Sequence, residues 1–135
     1  MAGITDAPMR RIAARFGAGW VVSEMIASNA LASGHGEMVR RLRKAGPLPH
    51  VVQLAGCEAH WMRRGAEIAA EAGADIIDIN MGCPNKRVTN GYAGSALMRV
   101  PDEALQLIAA VTSATALPVT VKMRLGWDED NLNAA

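Results

Sequence analysis

Apolar residues concentrate in four short runs, at 20–24, 50–54, 75–80 and 119–124. Each is rich in Val or Ile and has the length of a strand rather than a helix. The stretches between them carry a helical pattern. Residues 6–16 place Pro8 in a first turn and lead into Gly17, a natural stop. Residues 58–72 bring Trp61, Ile68 and Ala69 toward one face before Gly73. Residues 102–115 begin with two acids that suit a helix N-terminus and repeat Leu105, Ile108 and Val111 at helical spacing. Residues 28–44 read as two short helices broken at Gly34-His35-Gly36. Alternation of this kind predicts one α/β domain with parallel strands and crossover helices. It fits a doubly wound sheet and a (β/α)8 barrel equally, and no low-complexity tract or linker divides it.

A strand buried on both faces should be apolar throughout. Here each run turns polar toward its C-terminal end, at Ser23-Glu24, at Gln53, at Asp78 and Asn80, and at Lys122 and Arg124. That is the end of a parallel sheet where ligands bind. Spacing of two residues puts Asp78 with Asn80, and Lys122 with Arg124, on one face of their strands. The third run continues into Met81-Gly82-Cys83-Pro84-Asn85-Lys86-Arg87, whose Gly and Pro would hold Cys83 on a turn facing a site. A thiol there can be a nucleophile, an acid or inert filler, and Lys86 and Arg87 would ease its proton exchange if they turned inward. Cys57 reads as part of a strand-to-helix turn, His35 and His60 as surface or turn residues, and His50 as a strand opener without a role. Gly91-Tyr92-Ala93-Gly94-Ser95-Ala96 lacks both the GxGxxG and the GxxxxGKS/T pattern and reads as a flexible loop that lets backbone approach a ligand.

Bulk properties narrow the function classes. A chain of 135 residues, half of them hydrophobic and a fifth charged, suits one soluble domain with a sizeable core. A net charge of +1 does not announce a nucleic-acid binder, so an RNA surface would have to be a local basic patch. Lys86, Arg87 and the group Arg40-Arg41-Arg43-Lys44 are the places for one, although the group is equally a solvated helix face. Two cysteines make neither a disulfide framework nor a metal site and suit a reducing compartment. Without a run of about 18 apolar residues or a signal-peptide pattern, no membrane association is expected, and the expected location is cytoplasmic.

Residues 77–95, Ile-Asp-Ile-Asn-Met-Gly-Cys-Pro-Asn-Lys-Arg-Val-Thr-Asn-Gly-Tyr-Ala-Gly-Ser, resemble the signature of the tRNA-dihydrouridine synthase family throughout. Met1-Ala2-Gly3-Ile4-Thr5-Asp6 resembles that family's opening motif at the end of its first barrel strand. Val51-Val52-Gln53-Leu54-Ala55-Gly56 and Val121-Lys122-Met123-Arg124-Leu125-Gly126 resemble two further motifs, in the right order. The wording is most similar to the bacterial DusB-like branch.

The resemblance implies an FMN-linked (β/α)8 TIM barrel, of which residues 1–135 are the first half, strands 1–4 with strand 1 truncated. It places the C-terminal half-barrel, with its phosphate-binding loops, and a helical tRNA-binding domain outside this sequence. It implies that NADPH reduces FMN, which then reduces the C5–C6 bond of a uridine in tRNA. Carried over by motif, Cys83 resembles the acid that protonates C5. Gln53 and Lys122 resemble side chains that hold the isoalloxazine ring, and Met1 and Ala2 resemble its backbone contacts. Asn80 and Arg124 resemble site residues near flavin and uracil, and no metal is expected. An FMN barrel acting on free pyrimidines, of the dihydroorotate or dihydropyrimidine dehydrogenase type, is an alternative. So is an inactive truncated remnant, because a half barrel leaves strand edges and apolar surface open. The isolated chain is expected neither to retain FMN tightly nor to reduce tRNA.

Overall fold

The structure, a computed structural model, describes residues 2–134. Its first helix, α1 (Ala7–Arg15), starts where Asp6 accepts the Met9 N–H at 2.9 Å, with Pro8 in the first turn. Then come β1 (Val21–Val22), β2 (Ile26–Ala27), α2 (Ser28–Ala32) and α3 (Gly36–Arg41). The middle of the chain forms β3 (His50–Ala55), α4 (Ala59–Glu71) and β4 (Ile76–Met81). It ends with α5 (Lys86–Thr89), a 3-10 helix (Gly94–Arg99), α6 (Pro101–Ala114) and β5 (Val119–Met123).

All strand pairs are parallel, in the order β1-β3-β4-β5, and β2 also lies on β3. Val22 pairs with Val51 and Ile26 with Leu54, so four steps on one side meet three on the other. The extra residue is a bulge. Ser23 stitches it: its N–H donates to the Val51 carbonyl at 2.9 Å, and its Oγ accepts the Gln53 N–H at 3.0 Å. The strand expected at 20–24 therefore runs past the bulge to Ala27, a continuation the polar Ser23-Glu24 pair disguises.

Alternation along the strands sends Val52 and Leu54 of β3 and Ile77, Ile79 and Met81 of β4 to the helix side. There they pack with Met62, Ala66 and Ala69 of α4 and Ala104, Leu107 and Val111 of α6. Each fully buried Leu or Ile contributes about 1.5–3 kcal/mol, which makes this layer the main source of stability. The stripe on α6 is rotated from the expected one: Ala104 and Leu107 face inward and Leu105 is exposed.

At the N-terminal end of the sheet, His50 is buried rather than idle. Its Nε2 lies 2.6 Å from the Leu42 carbonyl, and its N–H donates to Asp75 Oδ2 at 2.7 Å. Burial pushes the His50 imidazole pKa down. The His50 N–H and then Lys44, 3.1 Å away, hold the Asp75 carboxyl below its usual range.

The result is a parallel α/β half-barrel, the N-terminal half of a (β/α)8 barrel. Among the described residues β1 and β5 have a strand neighbour on one side only. Exposed apolar side chains flank both edges, Phe16 and Trp20 before β1 and Leu125 and Leu132 after β5. No described helix is long and apolar enough to cross a membrane.

Candidate active site

The face of the sheet away from the helices is polar near its C-terminal end. Register sets Gln53 beside Asp78 and Asp78 beside Thr120, and two residues further it sets Asn80 beside Lys122. These side chains bond across the strands. Thr120 Oγ1 donates to Asp78 Oδ1 at 2.6 Å, Gln53 Nε2 to Asp78 Oδ2 at 2.6 Å, and Asn80 Nδ2 to Gln53 Oε1 at 2.9 Å. Gln53, Asp78 and Asn80 are all buried. Leaving one such group unpaired would cost about 1–3 kcal/mol, so the row stands because its members satisfy one another.

Cys83 sits on the turn beyond β4, half-buried. Its N–H donates to Asn80 Oδ1 at 3.1 Å, and the Gly82 N–H reaches the same oxygen at 3.4 Å. Its carbonyl accepts two bonds from Ser95, from N–H at 3.0 Å and from Oγ at 3.1 Å. Gly94 has φ +63°, and a Cβ there would lie 2.7 Å from the Cys83 carbonyl oxygen. The glycine-rich segment is thus not a flexible loop awaiting a ligand. From Ala93 to Met98 it is buried, and it clamps the cysteine turn against the sheet.

Cys83 opens onto a cleft of about 580 Å³ at the C-terminal edge of the sheet. Ala2, Val22 and Met25 supply apolar lining, and Gln53, Asn80 and Lys122 line it with polar groups. Lys122 is exposed, and among the described residues its ammonium makes no ion pair or hydrogen bond. The turn carrying Ala2 is held by Glu24, which accepts the Gly3 N–H and stands 3.8 Å from Arg41 Nε. Met1 lies outside the described residues.

Other expected residues fall elsewhere. Arg124 follows the end of β5, and its Nε donates to the Gly82 carbonyl at 2.8 Å. It braces the cysteine turn and does not line the cleft with Lys122. Lys86 and Arg87 lie exposed on α5 rather than turning inward, and Arg87 borders a separate groove beside Cys57 and Trp61. Two of the four basic residues at 40–44 are already engaged: Arg41 with the Met25 carbonyl, Glu24 and Glu37, and Lys44 with Asp75. Among the described residues no cluster of His, Cys, Asp and Glu could hold a metal ion.

From sequence Asp78 is polar without a part and Thr120 passes unnoticed, while Ser23 counts only as a polar strand end and the Gly94-Ser95 clamp is missed. A carboxylate in the middle of a strand otherwise built of Ile was the available signal for the first two.

The family model described as dihydrouridine synthase matches residues 1–135, the whole chain. The chain belongs to the dihydrouridine synthase family. A protein named probable tRNA-dihydrouridine synthase from Rhizobium leguminosarum bv. phaseoli is 62% identical over 134 residues, covering 99% of this chain and 42% of that protein. One of the same name from Rhodobacter capsulatus is 61% identical over 138 residues, covering 100% of this chain and 42% of that protein. tRNA-dihydrouridine synthase B from Pseudomonas putida is 51% identical over 136 residues, covering 98% of this chain and 40% of that protein. The chain therefore spans about two fifths of the length of these relatives. In this member of the family, residues 77–95 build β4, the cysteine turn and the clamp that seats it.

Proposed function

We propose that the protein formed with this chain reduces the C5–C6 bond of uridine in tRNA to dihydrouridine, in the cytoplasm, with NADPH as reductant. Residues 1–135 form the N-terminal half of its FMN-binding catalytic barrel, and a second half-barrel and a helical tRNA-binding domain complete it. The observation that carries this reading is the cleft itself: in a dihydrouridine synthase, Cys83, Gln53, Asn80 and Lys122 line one opening at the C-terminal edge of a parallel sheet. The relatives named tRNA-dihydrouridine synthase support the substrate.

The donor set fits the ring of FMN. Val22 and Met25 give apolar wall for a planar ring, Gln53 and Asn80 give amides for its polar edge, and Lys122 gives a cation. Backbone at Met1 and Ala2 would complete the contact. Lys122 is the one cation lining the cleft among the described residues, so the phosphate falls to loops after later strands, where barrels of this kind hold it. With FMN held in this cleft, the chemistry it would supply is hydride transfer to C6 of the uracil, with NADPH as the source of the electrons.

The chain's own residues do the rest. Cys83 gives its Sγ proton to C5: the S–H bond breaks as the C–H bond forms, and the thiolate regains a proton from solvent. A positioned acid of this kind contributes about 10²–10⁴-fold. Lys122 places positive charge where the reduced ring needs it. Asn80 faces the uracil, which must leave its stack to enter, and the free end of the Arg124 guanidinium would meet it from outside the cleft, beside the turn it braces. The test is NADPH oxidation by the purified protein with dihydrouridine-free tRNA or with free uracil and orotate as acceptor. Turnover with tRNA alone is expected, whereas turnover with the free bases alone would replace this reading by a free-pyrimidine dehydrogenase. Residues 1–135 by themselves are expected to lose FMN on gel filtration and to leave tRNA unreduced; a yellow, active monomer would refute that.

A further inference from the structure

The row of side chains between Thr120 and Cys83 has a direction. At one end stands the Asp78 carboxylate, which offers only acceptors. At the other stand the backbone N–H groups of Cys83 and Gly82, which offer only donors. Between them lie two amides, Gln53 and Asn80, each with one donor end and one acceptor end. Only one orientation satisfies every contact: Gln53 N–H donates to Asp78, Asn80 N–H to the Gln53 oxygen, and the Cys83 N–H to the Asn80 oxygen. Turning Gln53 sets oxygen against oxygen at Asp78. Turning Asn80 sets N–H against N–H at Cys83. The fixed groups at the two ends therefore settle both amides.

We propose that Asp78 is a positioning residue that dictates which atoms of Gln53 and Asn80 face the cleft and, through Asn80, where the Cys83 backbone sits. Asp78 does not line the cleft itself. Its second oxygen is taken by Thr120 at 2.6 Å, which keeps the carboxylate from rotating away from Gln53. What this direction means for catalysis rests on the function proposed above: it holds the donor thiol's turn and the amides beside the flavin in one arrangement. The direction itself is testable without cofactor or tRNA.

Three variants separate the possibilities: Asn80→Asp, Asp78→Asn and the two together. Asn80→Asp leaves Gln53 between two carboxylates, and either orientation of its amide meets an oxygen. Asp78→Asn alone changes little, because the new amide can keep its oxygen toward Gln53 and donate to the Thr120 hydroxyl. The double variant can run the whole row backwards: Thr120 donates to the new amide, that amide to the Gln53 oxygen, and Gln53 to the new carboxylate, which still accepts the Cys83 N–H. The readouts are the melting temperature and the rate at which iodoacetamide alkylates Cys83, followed on its own peptide so that Cys57 does not interfere.

Asn80→Asp should alkylate about tenfold faster, the change that losing one net hydrogen bond allows. Asp78→Asn should stay within about twofold of the parent, and the double variant should return to within about twofold. A double variant that folds where Asn80→Asp alone does not is the same rescue. A double variant as labile as Asn80→Asp, or one that fails to fold, overturns the proposal. If the rescue is seen while the parent protein reduces no tRNA, the proposed function fails and the positioning role of Asp78 stands.

Discussion

Replacing Gly94 by alanine strikes the clamp on Cys83 in two ways that the structure lets one weigh separately. At φ +63° an alanine pays roughly 1–2 kcal/mol for the left-handed backbone. Its Cβ would also stand 2.7 Å from the Cys83 carbonyl oxygen and 2.9 Å from Val88 Cγ1. The oxygen is backbone, pinned by both bonds from Ser95, so it cannot swing aside as a flexible side chain would. Overpacking of this kind costs about 1–3 kcal/mol more. The total is roughly 2–5 kcal/mol, a fall in melting temperature of roughly 6–20 °C for a domain of this size. Gly73→Ala is the control, since Gly73 has φ +84° with nothing within 4 Å and pays for the backbone alone. Thermal unfolding followed by circular dichroism measures both, and alkylation of Cys83 should quicken only in Gly94→Ala. Equal melting temperatures for the two variants would refute the clamp, because the contact with Cys83 would then carry no energy.

Two further outcomes follow from other parts of the molecule. The buried His50 titrates below its unfolded value, so as pH falls the unfolded chain takes up the proton first. Stability should therefore drop from about pH 6.5 downward until the folded imidazole protonates, and His50→Gln should flatten that part of a pH–melting curve; an unchanged slope would rule out His50 as its source. Lys122→Ala removes the one cation lining the cleft among the described residues. It should weaken FMN binding roughly 10- to 100-fold, measured by flavin fluorescence quenching, while leaving the melting temperature of the flavin-free protein nearly unchanged.

Much of this was legible in the chain, and the reasons are specific. Gln53, Asp78, Asn80 and Lys122 stand out because a polar side chain near the C-terminal end of an apolar strand conflicts with burial, and the period of two puts Asp78 and Asn80 on a common face. Cys83 between Gly82 and Pro84 announces a turn. The bulge at Ser23 was not legible, because a polar pair after Val21-Val22 looks like the end of a strand, and only pairing with β3 reveals its continuation. The role of the glycine-rich segment at 91–96 was not legible for a related reason. Glycine permits close approach to ligand and to protein alike, and the sequence does not say that the approached group is the Cys83 carbonyl. Arg124 shares the strand period with Lys122, yet β5 ends at Met123 and the arginine turns across to Gly82 instead. His50 seemed idle because its partners, Leu42 and Asp75, lie in other elements, 8 and 25 residues away.

In the function proposed above, the Cys83 thiol delivers the proton that completes uridine reduction. Cys83→Ala in the flavin-loaded protein tests it most directly, with two rates followed side by side: bleaching of the flavin by NADPH, and dihydrouridine formed in tRNA. The account predicts that NADPH still bleaches the flavin at the parent rate while dihydrouridine formation falls by about 10²-fold or more. Dihydrouridine formed at the parent rate by Cys83→Ala would contradict it.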